Sequence, residues 1–272
     1  MDDRPKRASR GLPLSLRWGA FLFTAAFPSI FTWVYFVVLD GSAPWVQQAA
    51  WLTGKLIQFG FPLTWVLFEN IRKPPAERGT VPVFSADSEK GDSPRRFLQR
   101  LRLPAATRRG MMLGLGMGAA VAGIMLAAYF GGLAHSDFFA HAAEVLRNKL
   151  PAFGIDSPSR MIALGVFYSA IHSLLEEYYW RWFVFGQLRR LVPLPAAVVV
   201  SSLAFMGHHV IVLSIYLSWP GTAAASGCVA VGGALWAWLY QRSGSLYAPW
   251  VSHLLIDAAI FAIGYEMVFA PR

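Results

Sequence analysis

Seven blocks of predominantly apolar residues, each 19 to 28 residues long, run through this 272-residue chain and restrict its fold more than any other feature. A helix needs about 20 such residues to cross a hydrocarbon core about 30 Å thick. A backbone in lipid must also satisfy its own hydrogen bonds, which leaves helices and closed barrels. The blocks fall at 19–39, 45–68, 111–133, 159–186, 193–217, 222–240 and 246–269. The second is the weakest, since it carries Gln47, Gln48, Lys55 and Gln58. Charged residues make up 14% of the chain, against about 25% in a soluble domain. The expected fold class is all-α, a polytopic transmembrane helical bundle of about seven or eight spans. A single cysteine, Cys228, excludes a disulfide framework. The first block is too long for a signal-peptide core and is read as retained.

The basic residues order these spans. Eighteen of the 24 Lys and Arg lie before the first block, between the second and third, after the fourth and after the sixth. Four lie in the alternate segments or at their edge, Arg160 being at the start of the fourth block, and Lys55 and Arg181 lie deep inside blocks. Basic residues favour cytoplasmic loops, so the N-terminus is expected in the cytoplasm and the C-terminus outside. Residues 1–18 then form a basic cytoplasmic N-terminus, 19–70 two transmembrane helices, 71–110 a basic cytoplasmic linker and 111–272 a transmembrane core. The linker is rich in Pro, Gly, Ser and charge and cannot bury a core. Its end, 98–109, has the charge for a short helix on anionic lipid. The net charge of +9 is therefore a topology signal, and Phe84 and Phe97 are the linker's only rings. No nucleic-acid partner is expected; the main partner is the bilayer. Before the fourth block, FFAHAAEVLRNKL has helical spacing and is expected to rest at the interface. Small residues crowd the third block (GLGMGAAVAG) and the sixth (AAASGCVAVGGA), allowing close helix packing.

The fourth block contains HSLLEEYYWRW, residues 172–182, which places two glutamates and an arginine among aromatic residues. Charges deep in a membrane are costly and face the bundle interior, where they work. Glu177 and Arg181 are four apart on a helix and can neutralise each other. Glu176 points about 100° away, on the face of His172, and is left free for chemistry. Two later blocks offer it partners. FMGHH places Phe205 and His209 four apart, and HLLID does the same for His253 and Asp257. At 1.5 Å per residue, Glu176 lies about 20 Å from Arg189, and His209 about 24 Å from Pro193. His253 and Asp257 lie about 10 and 16 Å from the near end of their span. One carboxylate and two histidines in a dry cavity supply a base for water and a donor for an oxyanion, as peptide hydrolysis requires.

These three motifs, in this order and each within a predicted span, resemble those of the CAAX protease and bacteriocin-processing (CPBP) family of intramembrane glutamic endopeptidases. The resemblance covers about residues 159–265 and implies an endopeptidase acting on a membrane-associated protein or peptide. It implies Glu176 as the base that activates water, His209 as its assistant, and His253 and Asp257 as the oxyanion site. Glu177 and Arg181 would hold the site together. Phe205 is read as a structural neighbour of the site, and His172 either as a support behind Glu176 or as a core residue. Relatives that act on prenylated proteins have asparagine at the position of Asp257, and an ionised aspartate is a poor oxyanion donor. Asp257 is therefore expected to orient His253, leaving its imidazolium as the electrophile. Members are read as metal-independent, and no cofactor is expected.

Competing readings rest on the same residues. Glu176, His209 and His253 could form a metal site, although no HExxH motif is present. Intramembrane Glu, His and Asp also build proton relays, but a proton-coupled transporter would be expected to show a repeat that this chain lacks. A non-catalytic bacteriocin-immunity or scaffold member would be favoured by absence of Glu176 or His209. His208 is read as a packing residue or one that supports the site from behind, Lys55 as snorkelling to the interface, and Asp40 and Glu69 as solvated. Ser201, Ser202 and Ser252 are read as bonded to helix carbonyls, and Trp180 as a possible wall of the site. The arginine-rich loops and the N-terminal helices read as those of a bacterial inner-membrane protein, for which a membrane-embedded peptide is a better substrate than a prenylated tail.

Overall fold

The computed structural model describes residues 12–72 and 107–270. Most of the basic N-terminus, the linker with all but the end of its expected basic helix, and Arg272 lie outside the described residues. Every regular element among the described residues is helical. α1 is Leu14–Trp33, continued by a π turn at Val34–Val38. α2 is Pro44–Arg72 and α3 is Arg108–Phe130. α4, Asp137–Lys149, is the short helix before the fourth block. α5 spans 158–188 and alternates between α and π geometry. α6 is Leu194–Tyr216, α7 Trp219–Ser243 and α8 Tyr247–Phe269.

Five of these helices are long and apolar enough to cross a membrane: Leu14–Val38, α3, α6, α7 and α8. α2 and α5 occupy the other two apolar blocks. α2 is diluted by its glutamines and Lys55, and α5 is divided by its π turns. The chain is an all-helical, multi-pass membrane protein. Local chemistry sets the ends. Thr107 caps α3 by accepting from the Gly110 N–H at 3.0 Å, so this helix starts three residues before the apolar block. α7 stops at Gly244, whose φ of 65° is left-handed. α4 starts behind Ser136, with Asp137 in its first turn and Arg147 and Lys149 in its last, complementing its dipole.

α5 is the centre of the bundle. Tyr179, Trp180, Arg181, Phe183, Val184 and Phe185 are all buried, which only a helix surrounded by neighbours can achieve. α1 and α2 cover one side. The Tyr179 hydroxyl donates to the Thr24 carbonyl at 2.7 Å, and the Tyr178 hydroxyl donates to the Phe59 carbonyl at 3.2 Å. Phe61 meets Phe183 edge-on at 6.0 Å. Glu69 is not solvated as the sequence suggested. It pairs with Arg190 at 3.1 Å and ties the end of α2 to the turn after α5.

The closest helix pair is α3 with α8. Gly110, Gly114 and Gly118 line the buried face of α3. A Cβ at Gly114 would lie 2.2 Å from the Ala248 carbonyl oxygen, and one at Gly118 would lie 2.8 Å from Ser252 Cα. Only hydrogen fits at either position, so the two backbones touch through a small-residue seam. Gly116, between them in sequence, faces open space.

Candidate active site

Three helices bring the polar residues together. α5 supplies Glu176 and Glu177 from the α segment Ser173–Glu177, which lies between two π turns, Phe167–His172 and Tyr178–Phe185. π turns of this kind concentrate at functional sites. α6 supplies His208 and His209, and α8 supplies His253 and Asp257. Glu176, Glu177, Arg181 and His253 are all buried.

The two glutamates divide the work. Glu177 is fully buried. Its Oε2 faces Arg181 Nε at 3.3 Å and its Oε1 faces His253 Nδ1 at 2.9 Å. Arg181 is held further by the Gly233 carbonyl at 3.5 Å and by the rings of Phe205 and Trp236, at 4.6 and 5.1 Å. A carboxylate on Nδ1 makes that nitrogen the donor and leaves Nε2 of His253 facing Glu176. The orienting contact on His253 thus comes from Glu177, not from Asp257 as expected. Asp257 Oδ1 lies 3.6 Å from the opposite nitrogen, Nε2. Trp236 fixes the ring plane, stacking on His253 with centroids 3.8 Å apart while its indole N–H donates to Ser252 Oγ at 3.2 Å. Ser252 is therefore an acceptor for tryptophan, whereas Ser201 and Ser202 donate to the Val198 carbonyl as expected.

Glu176 has no such anchor. Its Oε1 lies 3.5 Å from His208 Nε2, and its Oε2 lies 3.7 Å from His253 Nε2 and 4.0 Å from His172 Nδ1. Gaps of this size between polar groups suit a bridging water. His209 Nδ1 lies 3.0 Å from the Phe205 carbonyl, which makes it the donor there and leaves Nε2 free to accept. Phe205 also packs edge-on or tilted against His208, His209 and His253, so one ring spaces all three histidines. All eight residues singled out from the sequence therefore lie in or against one cluster.

Two residues outside the three motif pairs also shape the site, His208 and Trp236. Phe205, His208 and His209 follow i, i+3, i+4 spacing, which puts both histidines on one face. That was the available signal for His208. Its ring stacks on Trp180 with planes 2° apart, so Trp180 does wall the cluster. Nothing in the sequence distinguished Trp236 from a packing residue. Glu176, His208 and His209 each offer a ligand atom, mutually within 4.8 Å, which could hold a metal ion. This set differs from the expected metal alternative, having His208 in place of His253.

Residues 158–259 match the family model for type II CAAX prenyl endopeptidase Rce1-like proteins. The match agrees with the CPBP resemblance and covers every residue of the cluster. It supports a protease type of activity for this segment; α1 to α4 lie outside it. No curated protein and no solved structure matches the chain.

Proposed function

We propose that the chain is a glutamic-type intramembrane endopeptidase that hydrolyses a peptide bond in a membrane-associated protein or peptide. The observation that carries this reading is the buried Glu176 carboxylate with ring nitrogens of His208 and His253 at 3.5 and 3.7 Å. In this role Glu176 takes a proton from a water held against His209 while the water oxygen attacks the scissile carbonyl carbon. His253 donates from Nε2 to the developing oxyanion and keeps its Nδ1 proton on Glu177. When the C–N bond breaks, Glu176 returns the proton to the leaving amine, and the carboxylate is restored. Each step uses a side chain already in the cluster, and no serine or cysteine nucleophile is required. The family resemblance favours metal-independent chemistry. The basic-residue bias favours a bacterial inner-membrane protein with its N-terminus in the cytoplasm and its C-terminus outside.

The test is cleavage of candidate tail peptides by purified, reconstituted protein. Glu176→Ala and His209→Ala are each expected to lower the rate at least about a hundredfold, and EDTA to leave the wild-type rate unchanged. Equal cleavage by Glu176→Ala removes the enzyme assignment. Loss of activity on chelation, restored by added zinc, transfers the mechanism to a metal held by Glu176, His208 and His209.

A further inference from the structure

Lys55 is a cation in the middle of α2, outside the segment that carries the family match. It lies about 17 Å from the Pro44 end of the helix and about 26 Å from the Arg72 end. Its ammonium donates to Gln58 Oε1, three residues further along the helix, at 3.2 Å, and lies 5.8 and 5.5 Å from the ring centroids of Phe31 and Phe59. Among the described residues no carboxylate lies within 4.0 Å of it. The register of α2 on α5 explains where it points. Phe59 meets Tyr179, Phe61 meets Phe183 and Glu69 meets Arg190, so the two helices run in the same direction. One turn back from Phe59, that register sets Lys55 level with residues 174–175, next to Glu176. Lys55 is within electrostatic reach of both Glu176 and His172.

A charged ammonium at this depth is expensive unless an anion meets it. Its direct contacts are an amide and two rings, and the Glu176 carboxylate acts on it only from beyond ion-pair distance, which leaves room for a second anion. Lipid phosphates lie at the headgroup level, away from this depth. The geometry points to Lys55 as a specificity residue that pairs with a carboxylate of the substrate, close to the bond that Glu176 attacks. The carboxylate can be a free C-terminus or an acidic side chain, and both have the chemistry to make a charge-assisted contact with an ammonium. This inference rests on the protease reading for the site and adds to it a requirement on the substrate.

The test separates binding from cleavage. Pooled hydrophobic octapeptides are prepared in three forms: free acid, C-terminal amide, and amide with one internal aspartate. Binding and cleavage are measured for wild type, Lys55→Met and Lys55→Arg in the same detergent, together with thermal melting of each protein. Wild type is expected to bind one carboxylate form roughly tenfold or more tightly than the plain amide. Lys55→Met should abolish that preference while leaving amide binding within about twofold, and Lys55→Arg should keep it. Which form is preferred identifies the source of the carboxylate. No preference in wild type, or equal loss on all three pools in Lys55→Met, overturns the inference and leaves Lys55 as a counter-charge for Glu176 or a packing residue. Preferential binding without cleavage by wild type overturns the protease reading and leaves the carboxylate site standing.

Discussion

The two faces of α8 do opposite jobs. One face, at Ala248 and Ser252, lies backbone against backbone on the glycines of α3, with no room for a single added carbon. The other presents His253 and Asp257 to the Glu176 cluster, where polar atoms around that carboxylate stand 3.5 to 4.0 Å apart. The tight face has no chemistry, and the polar face is held by aromatic rings and one carboxylate rather than by backbone contact. Ser252 and His253 are adjacent, so a shift of the seam moves the site. The difference teaches that positional precision in this bundle is built on the dry side and used on the polar side.

Five substitutions, in the cluster and in the seam, test that division. The largest effect is expected at Glu177, where one carboxylate both neutralises Arg181 and anchors His253. Glu177→Ala should cost about 3–5 kcal/mol by stranding a buried charge and should abolish cleavage. Adding Arg181→Leu should recover much of the melting temperature but none of the activity, because His253 stays unanchored. Recovered activity in the double variant would assign Glu177 to stability alone. Next comes the seam. Gly114→Val should destabilise by roughly 1–3 kcal/mol through overpacking against Ala248, with a parallel fall in kcat. Gly116→Val, which faces open space, should change melting by no more than about 0.5 kcal/mol. Equal effects at the two glycines would show that the seam does not position the site. The smallest effect on stability is expected for Asp257→Asn, which should leave melting unchanged and alter the pH–rate profile. An unchanged profile with full activity would remove Asp257 from the chemistry.

The sequence was readable wherever contacts are local. Apolar block length announces a spanning helix, and i, i+4 spacing announces the Glu177–Arg181 pair and the Glu176–His172 face. The convergence of three helices was legible only through three motifs occurring in order, since spacing along one helix cannot fix its rotation against another. For that reason the contact between Glu177 and His253, 76 residues apart, was not foreseen, and orientation was credited to the nearer Asp257. Lys55 is ambiguous in the sequence for a related cause. A lone lysine in an apolar block looks the same whether it reaches for the interface or turns inward, and only the packing of Phe59 and Phe61 on α5 decides. The π turns left no trace, because Phe, Tyr and Trp are compatible with either helical geometry.

Those π turns have a consequence for how the site could be altered. Each holds one residue more than the α turn it replaces, taken up without the chain leaving its axis. The glutamates ride on a short α segment between them. Excising a residue from the turn before the pair would rotate both carboxylates relative to the start of α5, and excising one from the turn after would rotate them relative to its end. The acid pair can therefore be re-aimed from either side, by a one-codon deletion, with no change to the side chains themselves.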